Sequence, residues 1–285
     1  MSLTGRTAIV TGAAAGLGRA EALALAAQGA TVVVNDIGEP KDVVEEIEAA
    51  GGKAVAVAGD VGERATADAL VSAALDLGGL DVVVNNAGVL RDKMLFSMSD
   101  DDWDTVLRVH LRGHFLLSRN AAKYWRDKSK EDGQPVYGRL INTASEAFLI
   151  GSPGQPNYAA AKAGITALTM SAARGLAKYG VRANAICPRA RTAMTEGVFG
   201  AAPAEGTDPL SVEHVAPFVA YLASPAAEHV NGQVFIVHGG TVSLVEAPRI
   251  ERRWSLDELE TSVSAFFAER DPGRMFAATE ILGES

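Results

Sequence analysis

The chain has a single cysteine, Cys187, among 285 residues. That excludes a disulfide framework and a cysteine-built metal cluster, and predicts a cytoplasmic protein. No apolar run approaches membrane-spanning length. The amino terminus reaches apolar periodicity within about three residues, too soon for the charged segment and apolar core of a signal peptide. Basic residues are the minority: 26 Lys and Arg stand against 35 Asp and Glu, a formal net charge of −9. Such a balance argues against a nucleic-acid partner. What is plentiful is apolar residues, at 48%, and glycine, at 29 positions. This is the balance of many strands and helices joined by tight turns, in a chain long enough for one large domain.

Arg6 to Thr11 is a short apolar run ending in TGAAAGLG, followed by the alanine-rich Arg19 to Gln28. That order is strand, glycine turn, helix, and Gly12, Gly16, Leu17 and Gly18 fall where a helix amino terminus can approach a pyrophosphate. The next strand, Thr31 to Asn35, ends in Asp36. An acidic side chain about twenty residues after the glycines can accept both hydroxyls of an adenosine ribose. The carboxylate would repel a 2′-phosphate and Ala15 supplies no compensating charge, so the pattern predicts NAD rather than NADP. The alternative is that Asp36 only begins the turn Gly38 to Pro40. Lys53 to Ala58 is the third strand, followed by Asp60 and Val61. Asp60 either contacts an adenine amino group, with Val61 packed on the ring, or caps the helix containing Ala65 to Asp76. Asp81 to Val84 runs into Asn85, Asn86, Ala87 and Gly88, which either shape a nucleotide crevice by satisfying backbone groups or form a simple turn.

Ser99 starts a helix expected to continue to Lys128, with His110 and His114 one turn apart. No third ligand follows at useful spacing, so the histidines are expected to be packed or hydrogen-bonded, with no metal. Val136 to Asn142 is the fifth strand, with Ser145 just beyond it. Gln155 to Ala177 is a long helix whose Tyr158 and Lys162 share one face at its start. Tyrosine ionises near pH 10, and a neighbouring ammonium favours the phenolate. Ligands of open parallel sheets bind outside the carboxyl ends of the strands, so Ser145 is expected within reach of the same substrate oxygen as Tyr158. Val181 to Cys187 is the sixth strand and ends at Pro188. Arg189 to Pro209 is expected to cover the site, with a short helix at Met194 to Phe199. Arg189 and Arg191 either meet an anionic substrate or are solvated. Ser211 to Leu222 is a helix, Gln233 to Val237 the seventh strand, and Trp254 to Arg270 a helix capped by Ser255, with a loop at Asp271 to Arg274.

These motifs, in this order and spacing, resemble the short-chain dehydrogenase/reductase family from Leu3 to Val245. The resemblance implies an α/β fold: a single doubly wound Rossmann-type domain with a seven-stranded parallel sheet over residues 1–247. A substrate loop near 189–212 and a carboxyl-terminal helical extension, 248–285, complete the chain, which is expected to form a homotetramer or homodimer. It makes Tyr158 the general acid or base, has Lys162 lower its pKa and hold the nicotinamide ribose, and has Ser145 orient the reacting oxygen. Gly12, Gly16, Leu17, Gly18, Asp36, Asp60, Val61, Asn86, Ala87, Gly88 and Pro188 would join Tyr158 and Lys162 in holding NAD. One position departs from the family: His110 stands where members usually place an asparagine that supports a proton relay, which makes it a candidate catalytic residue. The wording His110-Leu111-Arg112-Gly113 and Val34-Asn35-Asp36 is similar to the dehydrogenase domain of peroxisomal multifunctional enzymes. The implied activity is NAD-dependent interconversion of a secondary alcohol and a ketone, on a 3-hydroxyacyl-CoA or a hydroxysteroid. An NADPH-dependent 3-oxoacyl-thioester reductase and a catalytically silent nucleotide-binding protein are the alternatives.

Overall fold

Runs of β-branched residues buried on both faces build the centre of the molecule: Val32, Val33, Val34, Val82, Val83 and Val84 are all fully covered. The computed structural model describes residues 2–195, 200–203, 206 and 208–271. Its strands are β1 (Thr7–Thr11), β2 (Thr31–Asp36), β3 (Lys53–Ala58), β4 (Val82–Asn85), β5 (Gly138–Thr143), β6 (Val181–Pro188), β7 (Val234–His238) and β8 (Thr241–Leu244). They form one sheet in the order β3-β2-β1-β4-β5-β6-β7-β8. Val32 and Val34 point into one core, with Leu25, Ile47 and Val219. Val33 points into the other, with Leu70, Leu116 and Trp125. The covering helices are α1 (Gly16–Ala27), α2 (Lys41–Ala49), α3 (Arg64–Asp76), α4 (Asp100–Leu107), α5 (Gly113–Asp132), α6 (Ala147–Ile150), α7 (Pro156–Leu176) and α8 (Ala216–Ala223). The strand order reverses between β1 and β4, which opens a crevice at the carboxyl ends of the strands.

Three features differ from expectation. Seven strands are parallel, but an eighth, β8, pairs antiparallel with β7. Gly239 and Gly240 both take positive φ, 54° and 83°, and make a two-residue hairpin between His238 and Thr241. The helix from Ser99 begins with a Ser99–Asp102 capping box, yet it widens into a π turn at Arg108–Arg112 before α5. The segment after Trp254 is not one helix. Ser255 and Glu258 form a capping box, followed by a 3-10 turn (Leu256–Glu258), a π turn (Leu259–Val263) and α9 (Ser264–Glu269). Trp254 and Phe266 cover each other edge to face, while Leu256, Leu259 and Phe267 stay exposed. The helix expected at Met194 to Phe199 and the loop at Asp271 to Arg274 fall largely outside the described residues. Among the described residues, no helix is long and apolar enough to cross a membrane.

Candidate active site

The crevice at the β1/β4 reversal has a volume of about 480 Å³, and all thirteen residues expected to hold a dinucleotide line it. Its floor is the turn between β1 and α1. A Cβ added at Gly18 would lie 2.3 Å from the Gly12 carbonyl oxygen and 2.5 Å from Asn86 Nδ2, so no larger residue permits this packing of helix on strand. The Thr11 hydroxyl accepts hydrogen bonds from the Asn86 and Ala87 amides at 3.0 and 3.2 Å. Asn86 Nδ2 in turn donates to the Thr11 carbonyl at 3.0 Å. The asparagine therefore shapes the crevice rather than marking a simple turn. Asp36 does more than open a turn: its two oxygens accept from the Ala14 amide at 2.9 Å and the Ile37 amide at 2.7 Å, which fixes the carboxylate over the glycine loop. Asp60 lines the crevice but does not cap α3, whose N-cap position is Glu63. It accepts instead from the Gly62 amide and pairs with Arg108, both at 2.7 Å. A backbone cradle cleared of side chains, with a carboxylate fixed at its far end, fits a dinucleotide.

The reacting end lies where α7 starts. Lys162 is buried and donates to the Thr143 carbonyl, with its Nζ 5.3 Å from the Tyr158 ring centroid. Burial pushes the Tyr158 phenol up to about 12, against a hydrogen bond from Ser145 that lowers it. Burial also pulls Lys162 down to about 7. Desolvation of the phenolate is the largest influence on Tyr158. The Ser145 hydroxyl also accepts from the Ala147 amide at 3.2 Å, which ties it to the start of α6.

His110 stands edge-on to Tyr158, with ring centroids 5.1 Å apart. It is brought there by the π turn and is buried, with Nε2 at 2.8 Å from the Val89 carbonyl oxygen and 3.0 Å from the Val89 amide. Burial first, and the charge of Lys162 second, hold its pKa well below the usual histidine value. His114 is likewise buried and lowered to about 3, so both rings are neutral at physiological pH. Among the described residues no group of three His, Cys, Asp or Glu is placed to hold a metal.

Sequence reasoning missed the ion pairs. Arg189 forms a two-pronged bond with Glu146, at 2.8 and 2.9 Å, with the side chains 16% and 14% exposed. Arg191 Nε pairs with Asp208 at 2.9 Å. Neither arginine is a solvated loop cation. The Thr11 bridge and the Arg108–Asp60 pair were missed as well, because their partners lie 75 and 48 residues apart in the chain.

Residues 6–201 match the short chain dehydrogenase family. Hydroxyacyl-CoA dehydrogenase ChsB1 of Mycobacterium tuberculosis is 62% identical, over 98% of this chain and 94% of its own length. The mouse peroxisomal multifunctional enzyme type 2 is 43% identical over 84% of this chain, and the match takes in 32% of that protein. Among solved structures, a short chain dehydrogenase from Mycobacterium avium is similar with a TM-score of 0.84 and 45% identity, covering 98% of this chain and 100% of the other.

Proposed function

The chain belongs to the short chain dehydrogenase family and is an oxidoreductase for a nicotinamide cofactor, and from that premise we propose that it oxidises a 3-hydroxyacyl-CoA with NAD. The observation that carries the substrate class is the 62% identity, over nearly the whole of both chains, to a protein named as a hydroxyacyl-CoA dehydrogenase. The cofactor choice is supported by Asp36, whose carboxylate is held by two amides and cannot swing away from a 2′-phosphate.

The glycine turn, Asp36, Asp60 and Val61 would hold the adenosine and pyrophosphate; Asn86, Ala87, Gly88, Tyr158, Lys162 and Pro188 would hold the nicotinamide half. Hydride acceptance is the chemistry that NAD supplies there. The rest is assigned to the chain's own residues. Tyr158 takes the proton of the substrate hydroxyl in oxidation and returns it in reduction, a role worth about 10²–10⁴-fold in rate. Ser145 donates to the same substrate oxygen and orients it, while its bond to Tyr158 works against the upward pull of burial. Lys162 anchors the start of α7 through the Thr143 carbonyl and would hold the nicotinamide ribose. His110, kept neutral, supports the backbone at Val89 and packs against the Tyr158 ring. We divide the chain into a catalytic domain, 1–247, and an accessory extension, 248–285. The assembly is a homotetramer or homodimer, a reading supported by the exposed Met94, Leu95 and Phe96.

Initial rates with NAD and NADP, over a panel of medium- and long-chain (3R)-hydroxyacyl-CoA esters and 3- and 17-hydroxysteroids, test the proposal. NAD-dependent turnover of a thioester is the expected result. Turnover of steroids alone would move the substrate class, and turnover with NADP alone would reverse the cofactor assignment.

A further inference from the structure

β5 and β6 run side by side up to the pair Thr143 and Ile186, and one further backbone bond, from the Ala144 amide to the Ile186 carbonyl at 2.7 Å, closes their ladder. Past that point the two chains diverge. Ser145 and Glu146 turn into α6, and Arg189 turns the other way, with its amide donating to the Val237 carbonyl of β7 at 3.0 Å. Ser145 thus stands one residue beyond the ladder. The next connection across the gap is between side chains: Arg189 Nε and Nη2 each donate to a separate oxygen of Glu146. A planar fork on a carboxylate fixes orientation as well as distance. Both side chains are mostly covered, so water competes for them weakly. The Glu146 backbone is rigid as well, since its carbonyl accepts from the Leu149 and Ile150 amides at 2.8 and 3.0 Å.

We propose that Glu146 and Arg189 are a positioning pair for the reaction, tying the loop that carries Ser145 to the strand end that carries Pro188 and so setting Ser145 against Tyr158. The inference rests on the role given to Ser145 above. Neither member of the pair touches the substrate. The fork engages Nε and Nη2 of Arg189, and the role assigned to it is positioning rather than reading a substrate's phosphates.

The experiment compares Glu146→Ala, Arg189→Ala, the double variant and Arg189→Lys with the wild-type enzyme. Substrates are a (3R)-hydroxyacyl-CoA and the matching pantetheine thioester, which lacks the nucleotide phosphates. Measured quantities are kcat, KM, NAD affinity by fluorescence titration, melting temperature and the primary deuterium isotope effect on kcat. Misplacement of an orienting group costs on the order of 10²-fold. Each alanine variant is expected to lose roughly 10- to 100-fold in kcat on both substrates, with KM and NAD affinity nearly unchanged and a larger isotope effect. The double variant is expected to be no worse than the poorer single. Arg189→Lys, which keeps the charge and loses the fork, should fall between, and it decides the matter if the alanine variants do not fold. Losses that multiply in the double variant, or kcat within about twofold of wild type, would overturn the pairing. So would a KM increase confined to the CoA ester, which would make Arg189 an anion site. If the wild type oxidises another secondary alcohol and no thioester, the substrate class fails while the same comparison, run on that alcohol, still tests the pair.

Discussion

Replacing Asp36 by asparagine keeps the size of the side chain and removes its charge, and the structure allows the consequence to be worked through. A carboxylate and a ribose 2′-phosphate roughly 5 Å apart, at an effective dielectric constant of about 20, repel by about 3 kcal/mol, a factor on the order of 10². Removing the charge should therefore raise kcat/KM with NADP by something approaching that factor. NAD should suffer in the opposite sense, because a hydrogen bond from a ribose hydroxyl to a charged group contributes about 1.5–3 kcal/mol and one to a neutral amide about 1. A loss of roughly 3- to 30-fold follows for NAD. The two effects together move the NAD-to-NADP ratio by about three orders of magnitude. There is also a folding cost. Ala14 and Ile37 donate to different carboxylate oxygens, and asparagine has only one oxygen to offer. One amide loses its acceptor, and stability should drop by about 1 kcal/mol. The assay is steady-state kcat/KM with each cofactor on one alcohol, with a urea melt alongside. A ratio that moves by less than about threefold, or a wild type that uses both cofactors equally, would refute the reasoning.

Three other outcomes can be stated briefly. Tyr158→Phe should lower kcat by about 10²–10⁴-fold while leaving NAD binding, read by fluorescence, intact; loss of both together would mean that the phenol is structural. Gly88→Ala would put a Cβ 2.3 Å from His110 Cε1, and overpacking a buried ring costs about 1–3 kcal/mol. Combined with His110→Ala it should cost less than the sum of the two single changes, as melting curves can establish. Glu21 is fully buried with neither oxygen partnered, and burial raises it from 4.5 to about 8. The folded state then holds a proton that the unfolded state has lost, so its contribution is complete below pH 4.5 and declines as pH rises toward 8. The slope is about 1.4 kcal/mol per pH unit, and Glu21→Gln should flatten it, making the variant the more stable protein at pH 8 but not at pH 5. Parallel pH profiles of urea stability would sink the idea.

What the amino-acid order revealed was the chemistry that needs a particular residue at a particular place. Gly18 is demanded by a backbone contact, Asp36 by its place at the end of β2, and Tyr158 and Lys162 by one turn of a helix. What it hid depends on encounters between distant segments. Glu146 and Arg189 lie 43 residues apart, and nothing local to either announces the other. A helix cap was one of two readings open to Asp60 because caps are local, whereas its partner Arg108 arrives from α4's end. The direction of the Tyr158 and Lys162 shifts followed burial, which spacing along a helix does not report. The π turn at His110 has no short-range signature either. The hairpin was visible in principle: Gly239 and Gly240 sit between Phe235–His238 and Thr241–Leu244, two β-prone stretches.

That hairpin has a consequence for how the molecule ends. The parallel strands all share one polarity, so each delivers its final residue to the side where the crevice lies. β8 runs back the other way, and Val245 donates to the carbonyl of Val234, the first residue of β7. The chain accordingly departs from the far rim of the sheet, a strand length removed from Tyr158. An appendage launched there begins its course at the end of the strands opposite the crevice.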